Sequence, residues 1–166
     1  IFIFIIVKLS SAGPSIYWSE RVGLSNKNFY MPKFRTMKVN TPETATHLLQ
    51  NAEQFYTTPG KMLRKYSLDE IPQIYSVLIN DMSLVGPRPA LFNQEDLVNS
   101  RTINYIHELK PGITGWAQVN GRDELSIEEK VKFDAEYLSR KSLRFDLYII
   151  WLTLLKVIKK DGISHQ

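Results

Sequence analysis

Leu63-Arg64-Lys65-Tyr66-Ser67-Leu68-Asp69-Glu70-Ile71-Pro72-Gln73 puts two adjacent carboxylates at the mouth of a helix. Downstream of Glu70, residues Ile71, Ile74, Tyr75 and Leu78 fall at the spacing of one apolar helical face. Two starts are compatible with this pattern. Ser67 with Glu70 three residues on reads as a capping box. Alternatively Asp69 is itself the N-cap, which leaves Pro72 in the first turn, where a missing N–H matters least. Either way, Asp69 and Glu70 stand where backbone N–H groups and the helix dipole favour negative charge. The bland reading is a pair of capping acids. The functional reading is a carboxylate kept ionised as nucleophile or metal ligand, at a helix end that also attracts phosphate.

The chain around this stretch has 166 residues, enough for one domain with a real core. Apolar residues make up 43% and charged residues 23%, the composition of a globular protein. A net charge of +4 is compatible with an anionic substrate, an anionic membrane or nucleic acid, and selects none of them. Cysteine is absent. That excludes a disulfide framework, a thiol nucleophile and a Cys-based zinc site, and fits a reducing, cytoplasm-facing environment. His47, His107 and His165 are scattered without metal-ligand spacing. No internal repeat, low-complexity tract or Gly-rich nucleotide loop is present. The first residue is Ile1, as expected of a fragment.

Upstream, Ile1 to Val7 is an unbroken apolar run ended by Ser10-Ser11-Ala12-Gly13-Pro14. It is shorter than the about 20 residues a membrane span needs, and it lacks the basic start of a signal peptide. A buried strand and the tail of a membrane-inserted helix both fit. Ile16-Tyr17-Trp18 and Phe29-Tyr30-Met31, separated by the loop Gly23 to Asn28, read as a β-hairpin. A polar stretch then carries a possible helix from Glu43 to Phe55, broken by Thr58-Pro59-Gly60. Lys61 to Tyr66 is a short basic lead into the central helix, which is expected to stop near Asn80-Asp81.

Downstream, Gly86-Pro87-Arg88-Pro89 is stiff and extended, because two prolines flank the arginine. An arginine on fixed backbone loses less entropy when it grips a phosphate; an exposed arginine in a Pro-rich turn is the plain alternative. A helix is expected from Gln94 to Glu108, then a turn-rich Lys110 to Trp116, a strand at Ala117 to Val119 and a turn at Asn120-Gly121. Ser126 and Glu129 form a second capping box, opening a helix to about Arg140. Asp134 lies on the same stripe as Ile127, Val131 and Leu138, and a carboxylate on an apolar face needs a partner or a job. Asp146 reads as an N-cap. The apolar helix after it, with Trp151 and the cluster Lys156, Lys159 and Lys160, suits either a membrane interface or the core.

Four stretches in order resemble one family: Lys33-Phe34-Arg35-Thr36-Met37, Ser67 to Gln73, Asp81 to Pro89, and Lys110 to Arg122. They are similar to the bacterial sugar transferases that act on polyprenyl phosphate, the monotopic phosphoglycosyl transferases. The likeness runs from about Gly13 to Gly162. It implies a small α+β domain, mainly helical, with a short β-hairpin and amphipathic interfacial helices. It also implies an N-terminal re-entrant membrane helix, here truncated, so that residues 1–12 are its end and residues 13–166 the catalytic domain. The implied location is the cytoplasmic face of the bacterial inner membrane. The implied activity is transfer of a sugar phosphate from a UDP-sugar to undecaprenyl phosphate with release of UMP, at the start of surface-glycan assembly.

The resemblance places the family's acidic pair on Asp69 and Glu70 and its phosphate-gripping arginine on Arg88. Lys33 and Arg35 fall on its basic strand motif, and Asp134 and Asp146 on two further acids near the substrate. In this scheme Asp69 attacks the sugar-bearing phosphorus, and its acyl-phosphate adduct is reactive enough to pass on. Arg88, Lys33 or Arg35 and a Mg²⁺ held by Glu70 would neutralise the approaching charges. The stretch Glu53 to Thr58 departs from the family, which often has an arginine there, so the loop at 40–58 is expected to be particular to this chain. A glycoside hydrolase fits poorly, because its two carboxyls flank the substrate from separate elements. A non-catalytic basic module for membranes or nucleic acid fits poorly too, since the basic residues are interleaved with acids and no nucleic-acid reader motif appears.

Overall fold

A computed structural model describes residues 2–10, 12–41, 52–121 and 124–159. Its architecture is α+β and mostly helical. The hairpin is present and longer than expected: β1 (Ile16–Val22) pairs antiparallel with β2 (Asn28–Phe34), Ile16 opposite Phe34 and Val22 opposite Asn28. A second small sheet pairs β3 (Ser83–Val85) with β4 (Gly112–Thr114) in parallel. Parallel strands need a crossover, and α4 (Glu95–Ile103) lies within it. The approach here is close enough to demand glycine: a Cβ on Gly112 would sit 2.1 Å from the Gly86 nitrogen. The expected strand at Ala117 to Val119 is instead a short helix, α5 (Trp116–Val119), and the strand lies just before it at β4.

Two long helices complete the core. α6 (Ile127–Arg140) starts with the expected capping box: Ser126 Oγ accepts from the Glu129 N–H, and Glu129 Oε2 accepts from the Ser126 N–H at 2.8 Å. α7 (Leu143–Lys159) begins before Asp146, so Asp146 is inside the first turn and not its cap. Ser142 takes that place, its Oγ accepting from the Phe145 N–H. Val85, Leu97, Ile106, Val119, Val131, Tyr137, Phe145 and Ile149 form the core between these helices and β3. Trp116 closes one side of it against Phe133 and Phe145.

The apolar N-terminal run is a helix, α1 (Phe2–Ser10), and not a strand. It buries Val7 and leaves Phe2, Phe4, Ile5 and Leu9 exposed. Among the described residues, no helix is long and apolar enough to cross a membrane. Thr58-Pro59-Gly60 starts an element here: α2 (Thr58–Lys65), capped by the Thr57 hydroxyl, with Pro59 in the first turn where it is tolerated. The helix expected from Glu43 falls mostly outside the described residues; Ala52–Phe55 is a 3-10 turn. The helix expected from Gln94 stops at Ile103, because Tyr105 takes a left-handed conformation at φ 58° before the short 3-10 turn Ile106–Glu108.

The central stretch differs most from expectation. Leu68–Gln73 is a 3-10 helix, and regular α-helix is confined to α3 (Ile74–Leu78). Pro72 has no N–H to give to Leu68, so the tighter turn is the local solution. Neither expected cap forms: Ser67 is left-handed at φ 53° and its side chain accepts no capping bond. The faces are reversed as well. Ile71, Ile74, Tyr75 and Leu78 are exposed, Leu78 at 78%, while Asp69, Gln73 and Ser76 are buried beneath them against β2.

Candidate active site

The 3-10 turn sends its two acids in different directions. Asp69 is buried, with 7% of its surface exposed, and its carboxylate makes no hydrogen bond or ion pair among the described residues. Glu70, partly buried, lines the neighbouring cavity between two cations. Its Oε1 accepts from Arg88 Nη2 at 2.8 Å and lies 3.4 Å from Lys33 Nζ. Chain positions 33, 70 and 88 therefore meet, as do positions 69 and 70, in the grouping the motifs implied.

Burial dominates the electrostatics. It pushes the Asp69 carboxyl above the usual carboxylate range; neighbouring Glu70 adds to this, while Lys33, Arg64 and Arg88 pull the other way. The end of a helix was expected to favour the charged form of this acid; burial and Glu70 act in the other direction. Burial also lowers the Lys33 ammonium to about 8, against the pull of Glu70 and with help from Arg88 and Arg21.

Arg88 stands on a backbone held at four consecutive carbonyls. Pro87 O accepts from the Gly112 N–H at 2.9 Å, and Arg88 O from Arg101 Nη1 at 2.8 Å. Pro89 O accepts from Arg21 Nη1 at 3.2 Å, and Ala90 O from the Val22 N–H at 3.0 Å. Two prolines remove donors and fix φ, and the carbonyls are fixed from β1, β4 and α4. The side chain projects from this frame and remains 27% exposed.

A cavity of about 460 Å³ opens beside the cluster. Ser67, Glu70 and Ile71 form one wall, Arg88 contributes to it, and Thr153, Lys156 and Val157 of α7 form another. Ile74, Ile113 and Val119 make much of the remainder apolar. The pocket thus places a carboxylate and cations at an apolar chamber, a combination suited to an anionic head carried on a greasy tail.

Of the expected site residues only Glu70 and Arg88 line this cavity; Asp69 and Lys33 lie directly behind that wall, and Arg35, Asp134 and Asp146 are elsewhere. Arg35 is buried beneath Gly13, where a Cβ would come within 2.3 Å of its Nη1. Asp134, 1% exposed, accepts from Arg101 Nε at 3.0 Å and Nη2 at 2.7 Å. Burial pushes its carboxyl up while Arg101 pulls it down. Asp146 accepts from the Tyr137 hydroxyl at 2.8 Å, and that bond together with burial raises the Tyr137 phenol. The chemistry of the Glu70 carboxylate fits Mg²⁺. Among the described residues no three acids or histidines cluster, but a magnesium shared with substrate phosphates needs only one or two carboxylates.

Arg101 and Arg21 were not singled out from sequence, and Lys156 was read only as part of a lysine cluster on a helix suited to a membrane interface or to the core. Asp134 on an apolar stripe was read as needing a partner or a job, and the partner is Arg101. Four residues before Arg101, Leu97 marks the buried face of α4, and that spacing could have located it.

Comparison with known proteins points to one family. The bacterial sugar transferase family matches residues 1–160. The chain is 41% identical over 165 residues to the uncharacterized sugar transferase EpsL of Bacillus subtilis, covering 99% of this chain and 80% of that protein. It is 42% identical over 158 residues to the UDP-glucose:undecaprenyl-phosphate glucose-1-phosphate transferase of Escherichia coli, covering 90% of this chain and 34% of that protein. It is 36% identical over 165 residues to the undecaprenyl-phosphate galactose phosphotransferase of Salmonella typhimurium, with 90% and 34% covered. The chain thus spans about a third of the length of these last two relatives. The matched span includes the acid pair, Lys33, Arg88 and the α6–α7 core, and the chain belongs to the bacterial sugar transferase family.

Proposed function

We propose that this chain transfers a sugar 1-phosphate from a UDP-sugar to a polyprenyl phosphate, releasing UMP, at the cytoplasmic face of a membrane. The observation that carries the reading is the division of labour between Asp69 and Glu70. Asp69 is a desolvated carboxylate without a donor among the described residues, and its raised basicity suits a nucleophile. Glu70 has its charge engaged by Arg88 and Lys33 at the cavity wall, which suits positioning and not attack.

In the first step an Asp69 oxygen bonds to the sugar-bearing phosphorus, and the bond from that phosphorus to the bridging oxygen of UMP breaks. UMP leaves with the electron pair. In the second step a phosphate oxygen of the lipid bonds to the same phosphorus, and the Asp69 carboxylate is released. Arg88, on its fixed backbone, and Lys33 offset the negative charge that gathers as anions meet. Glu70 is the residue that would hold Mg²⁺, which when bound would supply further charge neutralisation at the diphosphate.

The apolar residues turned outward support a membrane surface. Phe2, Phe4 and Leu9 on α1, Ile74 and Leu78 on α3, and Leu147, Trp151 and Leu154 on α7 are all exposed. Exposed apolar surface on several elements marks an interaction face. In this reading α1 is the end of a re-entrant membrane helix and residues 13–166 are the catalytic domain.

The test is to incubate membranes carrying the full-length protein with a panel of UDP-sugars, Mg²⁺ and undecaprenyl phosphate, and to measure UMP. UMP released with one sugar and not the others supports the reading and names the donor. No UMP with any sugar overturns it.

A further inference from the structure

We infer that Arg101 and Asp134 are positioning residues that fix Arg88 from behind without touching substrate; this rests on the reading of Arg88 as the group that grips the donor's phosphates. Asp134 is 1% exposed and away from the cavity lining, and unlike Asp69 it is ion-paired. Its carboxylate takes two N–H groups of Arg101, from Nε and Nη2. That leaves Nη1 directed at the backbone carbonyl of Arg88, 2.8 Å away.

The guanidinium is suited to this task because it is planar and carries donors in a rigid fork. Two donors anchor it to α6 and one reaches the 86–90 segment. A lysine in its place would keep the charge and lose the fork. The other three carbonyls of the segment are held by the backbone N–H groups of Gly112 and Val22 and by the part-buried Arg21. Arg88 O is held by a side chain that is itself fixed by a buried carboxylate. This is the peptide that carries the gripping side chain, so a loss here alters where the Arg88 guanidinium points.

The experiment is a double-mutant cycle in the full-length protein. Arg101→Lys and Asp134→Asn are each made in the native and in the Arg88→Ala background. Two readouts are taken on every protein: kcat/KM for sugar-phosphate transfer, and Kd for UDP as a nucleoside diphosphate probe. If the pair acts through Arg88, each change weakens both readouts by about tenfold or more in the native background, the scale expected of a misplaced contact. In the Arg88→Ala background the same changes move them by less than about twofold. A general structural role, or a direct contact with substrate, predicts the same factor in both backgrounds and overturns the inference. Arg101→Lys keeps charge and reach, and UDP binding measured well below each variant's melting midpoint keeps the cycle readable for the less stable proteins. UDP binding coupled in this way without any UMP release would overturn the transferase reading and leave the positioning role standing. Turnover with equal factors would do the reverse.

Discussion

α6 and the segment from Leu68 to Leu78 carry the same kind of pattern with opposite outcomes. Both place apolar residues at helical spacing, and both set a carboxylate close to them. In α6 the stripe turns inward: Val131 and Tyr137 join the core, and Asp134 goes in with them because Arg101 is there to receive it. In the 68–78 segment the stripe turns outward, and the buried face is polar, formed by Asp69, Gln73 and Ser76. Gln73 Nε2 and Ser76 Oγ are buried there with no hydrogen-bond partner among the described residues. A helical apolar stripe states that one face avoids water. It does not state which apolar phase that face will meet, protein core or lipid. The second region buries polar side chains and leaves its apolar stripe outside.

The sharpest way to break this contrast is Asp69→Asn. Transfer should fall by about four orders of magnitude or more, as for loss of a covalent nucleophile, and the covalent phosphosugar adduct should vanish. The same change should raise the thermal midpoint near neutral pH. The sign follows from burial: with the folded carboxyl raised above its ordinary 3.8, the folded state holds the proton more tightly than the unfolded chain. Its favourable contribution is complete below 3.8 and is lost as pH rises through the folded value. The ionised acid therefore destabilises the neutral-pH protein, and asparagine removes that penalty. Lower stability in Asp69→Asn would mean that the buried acid is structural.

Asp134 in α6 should behave in the opposite way. Asp134→Ala leaves the Arg101 charge without its partner, which should cost about 3–5 kcal/mol in urea unfolding. A smaller contrast compares the two apolar stripes. Val131→Ser should destabilise folding by about 1.5–3 kcal/mol. Leu78→Ser should stay within about 0.5 kcal/mol. Combined with Ile74→Ser it should weaken binding to anionic vesicles by about tenfold, read by sedimentation. If Leu78→Ser cost as much as Val131→Ser, the outward stripe would be covered by protein.

The smallest predicted effect concerns pH. Lys33, lowered to about 8, should lose its charge in the alkaline range, and transfer should fall about tenfold per pH unit above that value. Lys33→Arg stays charged and should flatten this limb. For stability the sign is opposite. Between about 8 and 10.5 the unfolded chain binds more protons than the folded one, so ionisable Lys33 makes the fold more stable as pH rises through that window. Lys33→Arg should remove this rise.

Much of the local structure was legible because it depends on near neighbours. The capping box at Ser126 formed as read, since both partners lie within one turn. The hairpin followed from two short aromatic runs on either side of the loop Gly23 to Asn28. The Ser67 box failed because Pro72 and the burial of Asp69 imposed a 3-10 turn with Ser67 left-handed. Thr58-Pro59-Gly60 was read as a stop because proline and glycine often end helices. Only the cap from Thr57 and the close seat of Gly60 against Thr36 O, where a Cβ would lie at 2.0 Å, make it a start.

The sequence by itself determined that Asp69 and Glu70 are adjacent, that Arg88 stands between two prolines, and that Asp134 would need either a partner or a job. These are properties of covalent order and of the cost of burying charge. Only the tertiary structure decided that Asp69 is buried while Glu70 lines the cavity, and that Arg101 is the cation for Asp134. It alone brought donors from residues 21, 22, 101 and 112 to the four carbonyls around Arg88. The physical reason is that burial and hydrogen-bond pairing are properties of a site in space. Those donors come from four separate places in the chain, and their convergence is fixed by how the hairpin, α4 and β4 pack together.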